Sequence, residues 1–273
     1  MKLGVFISLT PNPEIEFKKV RDLGFPTCQL NGWVQSLFTN EIAELVVRAS
    51  KKFSVDITSF WCGWEGPAVW DFIQGPLTLG LVPLAYRQDR LKMLKTGSDF
   101  AARIGVGDLT THVGFIPEDP NHPEYQGLVA TLRELAEYCR GNGQNFLFET
   151  GQETPITLLR AIEDIGLDNL GINLDPANLI LYGKANPVDS LDVYGKYVKG
   201  VHAKDGLYPT TGRYLGQEVP LGQGKVNVPA FIARLKEVGY DGPLTIEREI
   251  SGEEQTADIL AAKVLLEQLI NLK

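Results

Sequence analysis

Short apolar runs alternate along this chain with longer segments in which apolar residues recur every three or four positions. The short runs are bounded by Gly, Pro, Asn and Asp, and they have the length and flanks of buried strands. They fall at 2–8, 27–31, 56–61, 108–113, 145–149, 171–174, 198–203 and 243–248. The longer segments predict helices at 12–23, 41–53, 84–104, 124–141, 155–165, 187–194, 228–238 and 255–272. Within one of them, Leu128, Leu132, Leu135 and Tyr138 keep helical spacing. Gly24, Gly166 and Gly239 stand where a helix end favours a left-handed residue. Pro155 and Pro187 stand at helix starts, where a missing N–H costs nothing.

Eight strand–helix pairs in 273 residues predict an α/β fold, a closed (β/α)₈ TIM barrel made by residues 1–273 as a single domain. The rival is an open doubly wound sheet. It would want a Gly-rich phosphate loop after an early strand, and the sequence has none there. Two connections are long, 62–83 and 205–224, and both are rich in Gly and aromatic residues. In a barrel they would lie over the carboxyl-terminal face, where long ordered loops serve as lids or binding walls.

The strand ends carry the chemistry. Glu149, Asp175, His202 and Glu247 each close an apolar run: Asn145-Phe-Leu-Phe-Glu149, Leu170-Gly-Ile-Asn-Leu-Asp175, Val198-Lys-Gly-Val-His202 and Leu244-Thr-Ile-Glu247. Any one of them alone is an ordinary strand-end residue. If the strands are parallel, all four side chains converge on one rim, where three carboxylates would repel unless a divalent cation sat among them. Such a mixed N/O set suits Mn²⁺, Mg²⁺, Co²⁺ or Zn²⁺, and without thiolates it does not read as structural zinc. Glu149 and Glu247 would face a substrate from different sides. One could take a proton from a carbon beside a carbonyl and the other could return one to the opposite face.

Other residues join this rim. His112 ends the fourth strand, where it can bind a substrate hydroxyl, support the metal shell or be structural. Asp205 follows His202 closely enough to orient it or a substrate group, or to be a plain turn carboxylate. Arg213 and Arg248 could grip an oxyanion or pair with local acids. Trp61, Trp64 and Phe6 could wall a sugar site, since apolar CH faces of sugars sit well on aromatic rings. His122 lies in a loop pattern.

Charge narrows the partners. The net charge is −8 with no Lys/Arg cluster, which argues against nucleic acid. Three cysteines, Cys28, Cys62 and Cys139, lack metal-type spacing and suggest reduced thiols in a cytoplasmic protein. The apolar run after Met1 is too short for a signal segment, and no stretch is long enough to predict a membrane span.

The chain resembles the xylose isomerase-like TIM-barrel superfamily, and within it the sugar phosphate isomerase/epimerase group. The motifs are Phe148-Glu149-Thr150-Gly151-Gln152-Glu153, Leu174-Asp175-Pro176-Ala177-Asn178, Val201-His202-Ala203-Lys204-Asp205 and Ile246-Glu247-Arg248-Glu249. Leu221-Gly222-Gln223-Gly224-Lys225-Val226 is similar to the G-x-G turn before the seventh helix. The resemblance implies one divalent metal on Glu149, Asp175, His202 and Glu247, with the two glutamates as acid/base pair. Many members carry His at the position of Asn178, where it contacts substrate; asparagine donates a hydrogen bond but does not shuttle a proton. The DNA-repair endonucleases of the superfamily use a histidine-rich three-zinc site, and three histidines in all do not assemble one.

The expectation is a cytoplasmic, metal-dependent isomerase or epimerase of a small sugar, sugar phosphate or keto-polyol. Two alternatives are a dehydratase of a keto-inositol and a non-catalytic sugar-binding barrel. Partners would be a small carbohydrate, with no nucleic acid or membrane, and a homo-oligomer is compatible with the resemblance.

Overall fold

The computed structural model of the chain describes residues 1–272. Ten strands form in chain order: β1 (Lys2–Ser8), β2 (Thr27–Gly32), β3 (Asp56–Cys62), β4 (Asp108–Thr111), β5 (Asn145–Glu149), β6 (Leu170–Leu174), β7 (Val198–Ala203), β8 (Asp205–Gly206), β9 (Glu218–Val219) and β10 (Pro243–Ile246). Eight of them close a parallel barrel in the order β1-β10-β7-β6-β5-β4-β3-β2, and β8 pairs with β9 in a separate antiparallel ribbon. The strands are buried on both faces, as in β2 and β6, where every residue is buried. That is why they read as nearly continuous apolar runs rather than alternating ones.

The helices are α1 (Pro13–Asp22), α2 (Asn40–Phe53), α3 (Gly75–Thr78), α4 (Leu84–Arg103), α5 (Tyr125–Gly141), α6 (Pro155–Ile165), α7 (Pro176–Leu181), α8 (Pro187–Tyr194), α9 (Val228–Glu237) and α10 (Glu253–Asn271). All eight expected helices are present, within two residues at each end. The short α3 and α7, and the β8–β9 ribbon, were not expected. Pro155 and Pro187 open α6 and α8, and Gly24, Gly166 and Gly239 are left-handed just beyond helix ends. Among the described residues, no helix is long and apolar enough to cross a membrane.

Both long connections are pinned over the carboxyl-terminal rim. From α4, buried Arg90 donates to the carbonyls of Thr78 and Gly80 at 2.7 Å each and of Pro67 at 2.7 Å. Arg87 holds the carbonyls of Leu81 and Val82 beside it, at 2.9 and 2.7 Å. Gly80 has φ +66°, and a Cβ there would overlap the Val113 carbonyl, so only glycine lets this loop lie on the end of β4. The two loops also meet. Asp71 bridges to Tyr214, and the Phe72 N–H donates to the Arg213 carbonyl at 3.1 Å.

Candidate active site

The register of the barrel places the candidate ligands at one level. Glu149 is the last residue of β5 and pairs with Asn173 of β6. His202 lies opposite Thr245 of β10, two residues before Glu247. Asp175 directly follows β6 and caps α7, its Oδ1 accepting the Asn178 N–H at 2.9 Å. One ligand atom from each of Glu149, Asp175, His202 and Glu247 lies within 4.8 Å of the others. His202 Nδ1 stands 3.0 Å from Glu247 Oε2, 3.1 Å from Glu149 Oε1 and 3.7 Å from Asp175 Oδ2. Asp175 and His202 are fully buried.

The donor set fits a divalent cation. His202 Nδ1 and Asp175 Oδ2 are buried atoms with no hydrogen-bond partner, an expensive arrangement for polar groups left to themselves. The other imidazole nitrogen, Nε2, lies 2.5 Å from Gln29 Oε1, and the Gln29 amide donates in turn to Asn173 Oδ1 at 3.2 Å. An oxygen acceptor at Nε2 fixes the proton there and leaves the Nδ1 lone pair for a metal, the usual support of a histidine ligand.

Charge in the cluster points the same way. Burial disfavours imidazolium, yet Glu149, Glu247 and Asp175 together hold the His202 pKa well above its ordinary value. Lys204 is buried too, and Glu247, Glu249 and Asp175 hold its pKa well above normal despite that burial. Its Nζ lies 2.5 Å from Glu249, 3.2 Å from Glu247 and 3.5 Å from Asp175. Burial pushes the Glu247 carboxyl up, but Lys204 and His202 outweigh it and hold it far below the usual range. The site therefore attracts positive charge from every side.

A cavity of about 290 Å³ opens above these ligands. Glu149, Glu247, Glu249, His112 and Asn178 supply its polar surface. Phe6, Trp33, Trp61, Trp70 and Tyr182 supply aromatic walls, with Leu181 and Leu215 between them. The Trp61 indole N–H donates to Glu149 Oε2, and His112 Nε2 lies 3.5 Å from Glu149 Oε1. One carboxylate oxygen is thus braced by the wall while the other looks into the cluster.

Four expected residues stand elsewhere. Asp205 does not face the cavity; its carboxylate accepts the backbone N–H groups of Gly206, Gly222, Gly224 and Val226 at 2.9–3.1 Å. That is why the turn reads Gly-Gln-Gly: a Cβ on Gly224 would overlap the Asp205 carboxylate. Arg213 is exposed and engages the site only through its carbonyl, in the contact between the two loops. Arg248 pairs with Glu218 at 3.0 Å and Asp258 at 2.8 Å, and neither arginine lines the cavity. Trp64 is buried behind the wall, packed on Trp33 and Trp70 with ring centroids 5.5 and 6.5 Å away. Trp70 comes from the first long loop, as expected of a wall residue, while Gln29, Lys204, Glu249 and Trp33 have no role that the sequence alone assigns. Of these, only Lys204 and Glu249 lie inside a recognisable motif.

Comparison with known proteins agrees with the barrel fold. The sequence model of the xylose isomerase-like TIM barrel family matches residues 17–267. The crystal structure of a xylose isomerase domain protein from Planctomyces limnophilus is 38% identical, with a TM-score of 0.92 over 98% of this chain and 96% of that one. A D-tagatose 3-epimerase-like protein is 22% identical, with a TM-score of 0.76 over 99% and 97%, a likeness of fold. An uncharacterised protein of Methanocaldococcus jannaschii is 27% identical over 175 residues. That match covers 60% of this chain and 56% of the relative, so it spans little more than half the relative's length.

Proposed function

The chain belongs to the xylose isomerase-like TIM barrel family, and from that footing we propose that it is a divalent-metal-dependent isomerase or epimerase of a small sugar or keto-polyol. The observation that carries the reading is the meeting of four ligand atoms within 4.8 Å on the floor of an aromatic-walled cavity. The fold likeness to a D-tagatose 3-epimerase-like protein is compatible with it. A bound Mn²⁺, Mg²⁺, Co²⁺ or Zn²⁺ would polarise a substrate carbonyl and offset charge developing on its oxygen.

Glu149 and Glu247 would do the proton work. One carboxylate takes the proton from the carbon beside the carbonyl, and the C–H electron pair moves towards the carbonyl to leave an enediolate. For epimerisation the other glutamate must enter as the neutral acid, and it delivers its proton to the opposite face of the carbon; for isomerisation the glutamate that took the proton returns it to the former carbonyl carbon while the hydroxyl proton passes to the former carbonyl oxygen. Trp61 and His112 hold Glu149 in place, and Lys204 holds Glu247. Asn178 lines the same cavity and can donate to a substrate hydroxyl.

The same first step serves a dehydratase if a hydroxyl leaves instead. The observation favouring that branch is His112, whose Nδ1 is buried without a partner on the cavity wall and could protonate a leaving hydroxyl. Product analysis by NMR in D₂O separates the outcomes. Water loss marks the dehydratase. Inversion or carbonyl migration with one deuterium on carbon marks the leading reading. Glu149→Gln and Glu247→Gln should each lower kcat by about 10³-fold or more with the fold intact. Near-normal turnover of Glu149→Gln would sink the two-glutamate mechanism.

A further inference from the structure

We infer that the cavity selects an uncharged, polyhydroxylated ring ketone and rejects phosphorylated and carboxylated sugars. This rests on the reading of the site as a proton-transfer centre, and it narrows the substrate within that reading. The first observation is the sign of the lining. Its charged members, Glu149, Glu247 and Glu249, are all carboxylates, and no Lys or Arg lines it among the described residues. The nearest cation is Lys204, which is 2% exposed and already engaged by three carboxylates. With the three ligand carboxylates, Glu249 and Lys204 counted, a bound divalent cation still leaves one negative charge facing a substrate.

The second observation concerns places where a barrel of this kind can hold phosphate. The loops after the seventh and eighth barrel strands commonly offer backbone N–H groups to an anion. Here the loop after β7 does gather such a cradle, from Gly206, Gly222, Gly224 and Val226, but the Asp205 carboxylate fills it from within. The cradle is closed to an incoming anion because the chain supplies its own. The N–H of Asn178 at the start of α7 is likewise taken, by Asp175.

The third observation is the wall. Trp33 and Trp61 pack with centroids 5.1 Å apart, and Trp70 packs on His112 at 5.2 Å. Rings of this kind match the flat CH face of a cyclic sugar or polyol, which an open chain does not present. Hydroxyls then meet Asn178, His112 and the Glu249 carboxylate, whose other engagement is with Lys204.

Tryptophan fluorescence of the Mg²⁺-loaded protein tests this with matched ligands. The neutral probes are 2-keto-myo-inositol and methyl 3-keto-glucopyranoside; the charged probes are D-fructose 6-phosphate and D-ribulose 5-phosphate. Neutral ring ketones should quench saturably and bind at least about tenfold tighter than the phosphates, a gap of about 1.4 kcal/mol. Phosphates binding as tightly, or no neutral ring ketone binding, overturns the inference. Glu249→Gln should narrow the gap at least about threefold by releasing Lys204 from one partner; an unchanged gap overturns the part given to Glu249. Deuterium uptake, followed in the same samples, keeps the two ideas apart. Binding of the neutral probes without label would leave the selectivity standing and sink the proton-transfer reading. Label entering only the phosphates would do the reverse.

Discussion

Replacing Glu153 with Gln removes a carboxyl that the fold keeps protonated. Glu153 follows Gln152 in the turn after β5, is 3% exposed, and is pushed by burial from 4.5 up to about 8. Its own backbone N–H, Lys184 and the N–H groups of Gly151 and Gln152 pull the other way without prevailing. The sign follows from proton counting. Below about pH 4.5 both folded and unfolded chains hold the proton, and the group has no effect on stability. Between there and about pH 8 the unfolded chain releases it and the folded chain does not, so stability falls as pH rises; above about 8 both are ionised and the loss is complete. At 1.36 kcal/mol per pH unit, the loss between pH 5 and pH 8 is about 4 kcal/mol. Glutamine keeps the shape of the neutral acid and cannot ionise. Urea unfolding of the two proteins from about pH 5 to about pH 9 isolates the effect, because other titrating groups cancel in the difference. The advantage of Glu153→Gln should grow steadily up to about pH 8 and then level off. A constant difference across that range refutes the reasoning.

Two further outcomes follow from the site and its loops. Removing divalent ions with a chelator should lower the thermal midpoint by about 5–10 °C relative to protein held at an ion concentration about a hundredfold above Kd, from about 2.7 kcal/mol of binding linkage. Glu149→Gln should shrink that difference, as read by calorimetry and by metal content. Asp205→Ala should cost about 2–5 kcal/mol, since the buried N–H groups of Gly206 and Val226 lose their acceptor while those of Gly222 and Gly224 can turn to water. A loss under about 1 kcal/mol in chemical denaturation would contradict the anchoring role.

The barrel was legible because its signal is local. Strands buried on both faces read as apolar runs, and Gly166 or Pro187 marks a helix boundary by backbone geometry alone. The convergence of Glu149, Asp175, His202 and Glu247 was legible for a related reason: an acid or histidine closing an apolar run is a polar residue that the parallel register carries to the rim. What surrounds the quartet depends on contacts far apart in sequence. Gln29 and His202 are 173 positions apart, and nothing in Thr27-Cys-Gln-Leu distinguishes a tautomer-fixing glutamine from a surface one. Lys204 is a residue type that is almost never fully buried unless paired, and its three partners lie just after β6 and β10. Arg213 and Arg248 stayed open between two roles because a guanidinium suits an oxyanion and a local acid equally well, and Arg248 takes the second. Asp205 stayed open between a site group and a turn carboxylate because three of its donors, Gly222, Gly224 and Val226, lie 17 to 21 positions along the chain.

The two long loops share a design with a consequence for mechanism. Arg90 and Arg87 fasten the first through five backbone carbonyls, and Asp205 fastens the second through four backbone N–H groups. A cation gathers the acceptors of one loop and an anion gathers the donors of the other. The ordering cost of both is met during folding rather than on binding. Trp70 and Leu215, one from each loop, therefore stand at the cavity before any substrate arrives. If Glu149 and Glu247 act as proposed, a wall already in place would let binding free energy go into orienting the reacting carbon between them, where a misplacement of about 1 Å can cost about a hundredfold in rate. On the proposed mechanism, the loops would serve as walls rather than lids.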